Sequence, residues 1–212
     1  ILERLEQAGF AAYAVGGCVR DTLLGRVPQD WDVATSTRPE QTAALFAGRS
    51  IPTGLQHGTV TVRQEGLSVE VTTFRADGPY SDHRRPDAVY FSDSLAEDLC
   101  RRDLTVNAMA MDRRGVLTDL HGGREDLRRG LLRCVGEPDR RFDEDALRIM
   151  RTLRFASVLG FTVEERTAAA LHRRAPLLGS IAAERLLSEM DRLLCGRYVL
   201  LVLLAYPDVL GV

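Results

Sequence analysis

The sequence changes its hydrophobic periodicity partway along, and this change constrains the fold more than any other feature. Over about the first 120 residues, short apolar or alternating runs typical of strands take turns with helix-like runs. From Asp143 onward, helical patterns dominate. We therefore predict an α/β head domain over residues 1–136 and an all-α segment over residues 137–212.

The individual elements follow from the same patterns. Strands are predicted at 11–17, 31–35, 58–63, 67–75, 115–120 and 131–135. Helices are predicted at 18–25, 38–46, 94–112, 143–160, 162–175 and 182–194. The polar stretch 76–88 has no periodicity and is predicted to be a mobile loop.

Composition excludes several classes of protein. The chain has 212 residues, of which 45% are hydrophobic and 27% charged, and its net charge of −2 does not suit a protein that coats nucleic acid. All 28 basic residues are arginine, a bias that codon usage explains and that also suits forked contacts to phosphate. The four cysteines form no CxxC pair, so neither a zinc site nor a disulfide framework is indicated, and a reduced, cytoplasmic location is expected.

The longest apolar run, "YVLLVLLAY" at residues 198–206, is too short to span a bilayer, so no membrane partner is predicted. The chain begins at Ile1 without a methionine and ends just after this run. We therefore expect it to be part of a longer protein, and its sequence predicts no oligomeric state.

Two aspartates stand one residue apart at the second predicted strand, in "QDWDVATST". Side chains at positions i and i+2 of a strand face the same way, so Asp30 and Asp32 project together. The pair suits Mg²⁺, which prefers hard oxygen ligands, but it also occurs at ordinary solvated strand ends. Glu70 would add a third carboxylate if its strand is next to that of Asp32, and burial without a partner would be costly for it. Three converging carboxylates can hold two metal ions.

A glycine pair, Gly16 and Gly17, separates the first predicted strand from the first predicted helix in "VGGCVRD". Such a turn can offer backbone N–H groups and the positive end of a helix to a phosphate, or it can be no more than a tight connection. The order of features favours the phosphate interpretation, because the aspartate pair follows and then an acidic strand.

Together these motifs resemble the tRNA nucleotidyltransferase and poly(A) polymerase family, in particular its bacterial-type (class II) CCA-adding and A-adding members. "VGGCVRDTLLGRVPQDWDVATS" is similar to the start of that family's head domain. "VEVTTFR", "RRDLTVNAMA", "DLHGGREDL" and "EDALRIMRTLRF" match its later motifs in order, over roughly residues 8 to 195. The resemblance implies a polymerase-β-like nucleotidyltransferase fold for the head and a helical neck after it.

The resemblance also implies roles for single residues. It places catalytic, metal-binding carboxylates at Asp30 and Asp32 and a third catalytic carboxylate at Glu70. It places nucleotide phosphates at Gly16, Gly17 and Arg20. It implies that the ribose and triphosphate of the nucleotide are bound by Arg102, Asp103 and Asn107. It places the junction between head and neck at Asp119, Gly122 and Gly123.

Asp145 and Arg148 are three residues apart in "EDALR" and would share one face of the predicted helix. They could form an ordinary intrahelical ion pair, worth only about 0.3 kcal/mol. They could also act as a protein template, because a carboxylate accepts from an exocyclic amine while a guanidinium donates to a ring acceptor. Cytosine and adenine present that amine, whereas uracil and guanine present a carbonyl that the carboxylate repels. We favour the template, which is also the role that the family gives to the matching positions.

Three arginines follow one another at a spacing of three on that predicted helix, and we call them the arginine stripe: Arg148, Arg151 and Arg154. The stripe could be a solvent-exposed face, or it could bind nucleotide by lining a triphosphate or RNA channel. Residues 76–88 resemble the family's flexible loop, and the retention of this loop favours addition of the terminal adenosine.

The sequence thus predicts a Mg²⁺-dependent, template-independent nucleotidyltransferase that adds C, A or both from CTP and ATP to the 3′ end of tRNA. Two alternatives stay open: a poly(A) polymerase with the same head motifs, and a catalytically silent RNA-binding module. The intact Asp30, Asp32 and Glu70 argue against the silent module.

Overall fold

The computed structural model describes residues 1–80, 86 and 88–211. The chain divides into two compact units. The first unit consists of Ile1–Asp77, Ala88–Arg102 and Val106–Gly123, and the second of Gly78–Asp87, Asp103–Thr105 and Arg124–Val212. Within the described part of the chain, every helix is too short or too polar to cross a membrane.

The first unit is built on a seven-stranded mixed sheet. Its strands are β1 (Ala12–Val15), β2 (Trp31–Thr35), β3 (Ser50–Gly54), β4 (Thr59–Gln64), β5 (Leu67–Thr73), β8 (Met109–Met111) and β9 (Leu117–Asp119). A separate antiparallel hairpin pairs β6 (Arg75–Asp77) with β7 (Val89–Phe91). The helices are α1 (Leu2–Gln7), α2 (Gly17–Leu23), α3 (Pro39–Leu45) and α4 (Leu95–Cys100).

The order across the sheet is β3-β4-β5-β2-β1-β8-β9. Strands β2 and β5 run parallel, and the other neighbouring pairs run antiparallel. Because side chains alternate along a strand, β2 contributes Val33 to a core cluster with Leu5 and Phe46, and Ala34 to a second cluster with Phe74 and Leu99. Asp32 shares its face of β2 with Ala34, so the sheet directs its carboxylate to the side of the second cluster.

The second unit is mainly helical. Its elements are α5 (Gly123–Arg129), β10 (Leu131–Leu132), α6 (Pro138–Glu144), α7 (Leu147–Leu159), β11 (Thr162–Val163), α8 (Glu165–Arg174), α9 (Ala183–Leu194), α10 (Val199–Ala205) and α11 (Pro207–Leu210). β10 pairs in parallel with β11. Helix α7 packs against α9 and α10, and α6 packs against α8. Ile149 and Leu153 of α7 are fully buried, which makes this helix the centre of the unit's core.

One predicted helix, over residues 94–112, is wrong in its second half. Helix α4 ends at Cys100, and a 3₁₀ turn at Thr105–Asn107 leads into strand β8. The sequence "NAMAM" consists largely of good helix formers, but β8 lies between β1 and β9, where both edges of its backbone are paired. Pairing within the sheet therefore outweighs the local preference.

The continuous helix predicted over residues 143–160 is also wrong. Helix α6 ends at Glu144 and α7 begins at Leu147, with Asp145 in an extended conformation (φ −139°, ψ 103°). The carboxylate of Asp145 accepts a hydrogen bond from the Leu147 N–H group (3.2 Å), so it satisfies a donor at the start of α7. Asp145 and Arg148 consequently do not lie on one helix face.

Candidate active site

Two of the predicted carboxylates stand opposite each other on the parallel pair of strands. The register of β2 and β5 sets Asp32 against Glu70, and Asp30 lies one residue before β2. The strand of Glu70 is therefore the neighbour of the strand of Asp32. Glu70 is exposed, however, because Val69 and Val71 take the buried positions of β5, so the predicted cost of burying this carboxylate does not arise.

The charge around Asp32 is unbalanced in favour of carboxylates. Burial raises the pKa of Asp32 above its ordinary value, Glu70 and Asp30 raise it further by repulsion, and Arg102 acts in the opposite direction. A site that crowds hard oxygen ligands in this way fits a divalent cation. Among the described residues, no set of three or more His, Cys, Asp or Glu side chains is arranged to hold a metal ion. The three carboxylates that were predicted to converge therefore do not form a complete metal site by themselves.

The turn after β1 needs glycine at Gly16. Its φ of 78° lies in the left-handed region, and a Cβ atom there would stand 3.1 Å from Arg102 Nη1 and 3.8 Å from Asp32 Oδ2. The absence of a side chain thus lets Arg102 approach the backbone beside Asp32. Gly17 follows as the first residue of α2.

Arg20 is buried and takes part in a local network. Its Nε and Nη2 groups donate to the two carboxylate oxygens of Asp21 (2.8 and 3.0 Å), and its Nη1 donates to Asn107 Oδ1 (2.7 Å). The arginine predicted to bind phosphate therefore orients Asn107, another predicted site residue.

Arg102 is held by a carboxylate that the sequence did not single out. Asp98 is 0% exposed and accepts from Arg101 Nη2 (2.7 Å) and Arg102 Nη2 (3.0 Å). Burial acts to raise the pKa of Asp98, but the two guanidinium groups hold it below its ordinary value. Asp98 thereby fixes Arg102 near Gly16.

In the second unit, each arginine of the stripe is paired with a carboxylate. The shortest contacts are Arg148 Nη1 to Glu144 Oε2 (2.7 Å), Arg151 Nη2 to Asp103 Oδ2 (2.7 Å) and Arg154 Nε to Glu189 Oε2 (2.6 Å). The side chains of Arg148 and Arg154 are only 10% and 14% exposed, so these two arginines do not form the solvent-exposed face that one interpretation predicted. Asp103 also accepts from the Leu104 N–H group (2.8 Å).

Asp145 faces a cation from another helix. Its Oδ2 atom lies 3.6 Å from Arg185 Nη2 of α9. Burial raises the pKa of Asp145, while Arg185, the Leu147 N–H group and, with smaller effects, Arg148 and Arg151 act to lower it. Nothing in the spacing of the sequence pointed to Arg185.

The structure separates the predicted site residues into two sets. The first unit contains Asp30, Asp32, Glu70, Gly16, Gly17, Arg20, Arg102 and Asn107. The second contains Asp103, Asp145, Arg148, Arg151 and Arg154.

At the predicted junction, Asp119 Oδ1 accepts from the N–H groups of His121 (3.3 Å) and Gly123 (2.9 Å), which defines a turn. Residues 81–85 and 87 of the predicted loop lie outside the described residues.

Two family models match the chain. The model described as "Poly A polymerase head domain" matches residues 12–133, which is more than half of the chain. The model described as "Probable RNA and SrmB- binding site of polymerase A" matches residues 160–204.

Curated relatives match nearly the whole chain. The CCA-adding enzyme of Geobacillus kaustophilus (strain HTA426) is 52% identical over 199 residues, which cover 94% of this chain and 49% of the relative. The CCA-adding enzyme of Leuconostoc mesenteroides is 52% identical over 196 residues, which cover 92% of this chain and 49% of the relative. The chain therefore spans about half the length of the curated relatives it matches.

Solved structures show the same fold. The crystal structure of Bacillus stearothermophilus CCA-adding enzyme in complex with CTP matches with a TM-score of 0.89 at 47% identity, covering 96% of this chain and 49% of that chain. A tRNA nucleotidyltransferase complexed with a primer tRNA and an incoming ATP analogue matches with a TM-score of 0.80 at 31% identity, covering 99% and 60%. The predicted fold class, an α/β head of the nucleotidyltransferase type followed by an all-α segment, is confirmed.

Proposed function

The chain belongs to the poly A polymerase head domain family, and we propose on this basis that it transfers C, A or both, from CTP and ATP, to the 3′ end of tRNA without a nucleic-acid template. The observation that carries the proposal is the register that sets Asp32 opposite Glu70, with Asp30 adjacent, in a fold shared with CCA-adding enzymes. One solved relative is bound to CTP, and another to a primer tRNA and an ATP analogue. A nucleotidyltransferase head over residues 1–136, a neck over 137–212 and a cytoplasmic location are parts of the same proposal.

Asp30 and Asp32 are the residues that would hold Mg²⁺. With two such cations bound, one would activate the 3′-hydroxyl that attacks the α-phosphate, and the other would neutralise charge on the leaving pyrophosphate. The contribution of the protein is a partly buried carboxylate at Asp32 that is repelled by the neighbouring charge of Glu70. This crowding favours binding of a divalent cation over an empty site, because the cation relieves the repulsion.

Arg102 is proposed to bind the triphosphate. Asp98 holds one of its nitrogens, and Gly16 leaves room for another beside Asp32. A guanidinium fixed in this way can meet phosphate oxygens without first losing side-chain entropy. Arg20 contributes indirectly, since it orients Asn107 toward a proposed contact with the ribose.

Asp145 and Arg148 are the proposed base-selecting pair. Arg148 Nη1 donates to Glu144 Oε2 (2.7 Å) and to the backbone oxygen of Arg141 (3.1 Å), and these contacts fix the plane of the guanidinium. Asp145 lies in the extended link between α6 and α7, where its carboxylate is set by the Leu147 N–H group. A fixed acceptor and a fixed donor can distinguish C and A from U and G on the Watson–Crick edge.

Poly(A) polymerase activity is the second candidate, because both matching family models are described by that activity. The two functions share the carboxylates and the triphosphate contacts. They differ in where addition stops, so the length of the product separates them.

Replacement of both metal-binding aspartates tests the transfer reaction. We expect Asp30→Ala with Asp32→Ala to reduce incorporation of labelled CTP into tRNA lacking its CCA end by about a thousandfold or more, because the ligands for the cation are lost. The same double variant should abolish the rise in thermal midpoint that MgCl₂ gives the unaltered protein. Asp93→Ala, at an exposed carboxylate of the same unit, is the control and should retain both properties. Incorporation that survives the double substitution contradicts the proposed function.

A further inference from the structure

Helix α9 supplies two charged side chains to the proposed base-selecting region, and the proposed function uses neither. Arg185 Nη2 lies 3.6 Å from Asp145 Oδ2, and Glu189, one turn later, lies 2.6 Å from Arg154 Nε. Positions i and i+4 share a helix face, so one side of α9 contacts both Asp145 and the arginine stripe. The packing of α9 against α7 holds this side in place.

Arg185 is well placed to act on Asp145. The two side chains are 28% and 19% exposed, so solvent screens their attraction less than that of a surface pair. The Nη1 atom of Arg185 is buried and has no hydrogen-bond partner among the described residues. The ion pair that the structure describes for this guanidinium is the one with Asp145.

We propose that Arg185 is a positioning residue for base selection, which keeps the Asp145 carboxylate ionised and so maintains the rejection of U and G. The inference rests on the proposed role of Asp145 and deepens it. Arg185 acts through Asp145 and is not assigned a contact with the nucleotide.

The charges around Asp145 explain why one arginine can matter. The charged groups that face it are Arg185 from α9 and Arg148 and Arg151 from α7, together with the backbone N–H group of Leu147. Burial raises the pKa of Asp145, and Arg185 is the strongest of the groups that oppose this rise. We therefore expect loss of Arg185 to raise the pKa of Asp145 further, so that the carboxyl group becomes protonated at a higher pH.

Protonation changes what Asp145 can recognise. An ionised carboxylate only accepts hydrogen bonds, whereas a protonated carboxyl group also donates one. That donor can pair with the carbonyl that uracil and guanine present in place of the amine, so one of their repulsive contacts is relieved. The N3–H group of uracil still faces the Arg148 guanidinium, so we expect discrimination to weaken and not to reverse.

Arg185→Gln in the full chain tests the inference, with the ratio of UTP to CTP incorporation on tRNA lacking CCA measured from pH 6 to pH 8.5. We expect the ratio to rise by about fivefold relative to the unaltered protein, and to rise more as the pH falls. Because the ratio compares two nucleotides on the same folded molecules, it does not depend on how much of the variant folds. Arg185→Lys keeps the charge and should restore most of the discrimination.

Arg166→Gln is the matched control, since it removes the same charge from α8, where Arg166 pairs with the exposed Glu137. It should leave the ratio unchanged at every pH. A ratio for Arg185→Gln that equals that of the unaltered protein, or that rises equally at all pH values, overturns the inference, as does a failure of Arg185→Lys to restore discrimination.

The variant Asp145→Ala distinguishes a failure of this inference from a failure of the proposed function on which it rests. If Asp145→Ala weakens discrimination against UTP and GTP while Arg185→Gln does not, only the role of Arg185 is lost. If Asp145→Ala leaves discrimination unchanged, the proposed template itself fails.

Discussion

Three buried carboxylates lie against four arginines of the proposed site and its surroundings. Asp98 holds Arg101 and Arg102, Asp103 holds Arg151, and Glu189 lies beside Arg154. An arginine that is fixed by a buried partner loses little entropy when it meets a phosphate, whereas a free surface arginine must be ordered first. The chain has no lysine, so each of these contacts can use the planar, forked geometry of a guanidinium.

The carboxylate of Asp103 is predicted to stabilise the fold in a way that depends on pH. Burial acts to raise its pKa, but Arg151 and the Leu104 N–H group hold the pKa well below its ordinary value. A carboxylate with a lowered pKa stabilises the fold above its unfolded-state pKa, near 4, and this contribution is lost as the pH falls further. We expect Asp103→Asn to cost about 2 kcal/mol at pH 7, a value reduced because Arg151 is partly exposed.

The measurement is urea unfolding followed by circular dichroism at pH 7 and at a series of values below 4. The difference between Asp103→Asn and the unaltered protein should shrink along that series. Asp191→Asn, at an exposed position of α9, should differ little from the unaltered protein throughout. A cost for Asp103→Asn that stays constant as the pH falls argues against the ion pair as its cause.

Helix α7 packs closely against the end of α9, and this packing predicts that Gly196 does not tolerate a side chain. A Cβ atom on Gly196 would stand 2.7 Å from the carbonyl carbon of Ser157 and 2.8 Å from its oxygen. These are backbone atoms, so they cannot move aside as the end of a flexible side chain could. We expect Gly196→Ala to cost about 3 kcal/mol in the free energy of unfolding.

Gly179→Ala is the paired control, because a Cβ atom there would meet nothing within 4 Å. It should change the free energy of unfolding by less than about 0.5 kcal/mol. Equal costs at the two glycines would show that the approach of Gly196 to Ser157 does not limit the fold.

The strand–glycine–helix order of the first unit could be predicted because local chemistry decides it. The paired glycines follow β1, and the valines of β4 and β5 alternate with polar residues, as is typical of strands with one face at a core. Strand β8 could not be predicted, because its residues favour a helix and only pairing with β1 and β9 makes them a strand. The break at Asp145 was missed because the side chain of Asp145 stops the helix by bonding to the backbone.

The residues of the candidate site also divide into those that could be predicted from the sequence and those that could not. Asp30, Asp32 and Glu70 could be proposed from residue type and spacing, as could the pair Asp145 and Arg148. The partners that orient them could not, because Asp98 looks like an ordinary exposed residue of a short helix, and Arg185 follows Asp145 by forty positions. Contacts between segments that are distant in sequence leave no local pattern to read.

At the scale of the whole molecule, the proposed activity depends on residues from both units. Those proposed to bind metal belong to the first unit, and those proposed to select the base belong to the second. The chain spans about half the length of its curated relatives, so the proposed activity concerns the catalytic chemistry of these units and not every contact that tRNA makes.

The proposed nucleotide addition can be tested by incorporation of each labelled nucleoside triphosphate onto three tRNAs, ending before CCA, after C and after CC. We expect CTP to be added to the first two substrates and ATP only after CC, UTP and GTP to be rejected, and addition then to stop. An enzyme that adds only the final A would use the third substrate alone, which still agrees with the proposed chemistry. A long A tail would instead show a poly(A) polymerase, and absence of incorporation from any triphosphate would contradict the account.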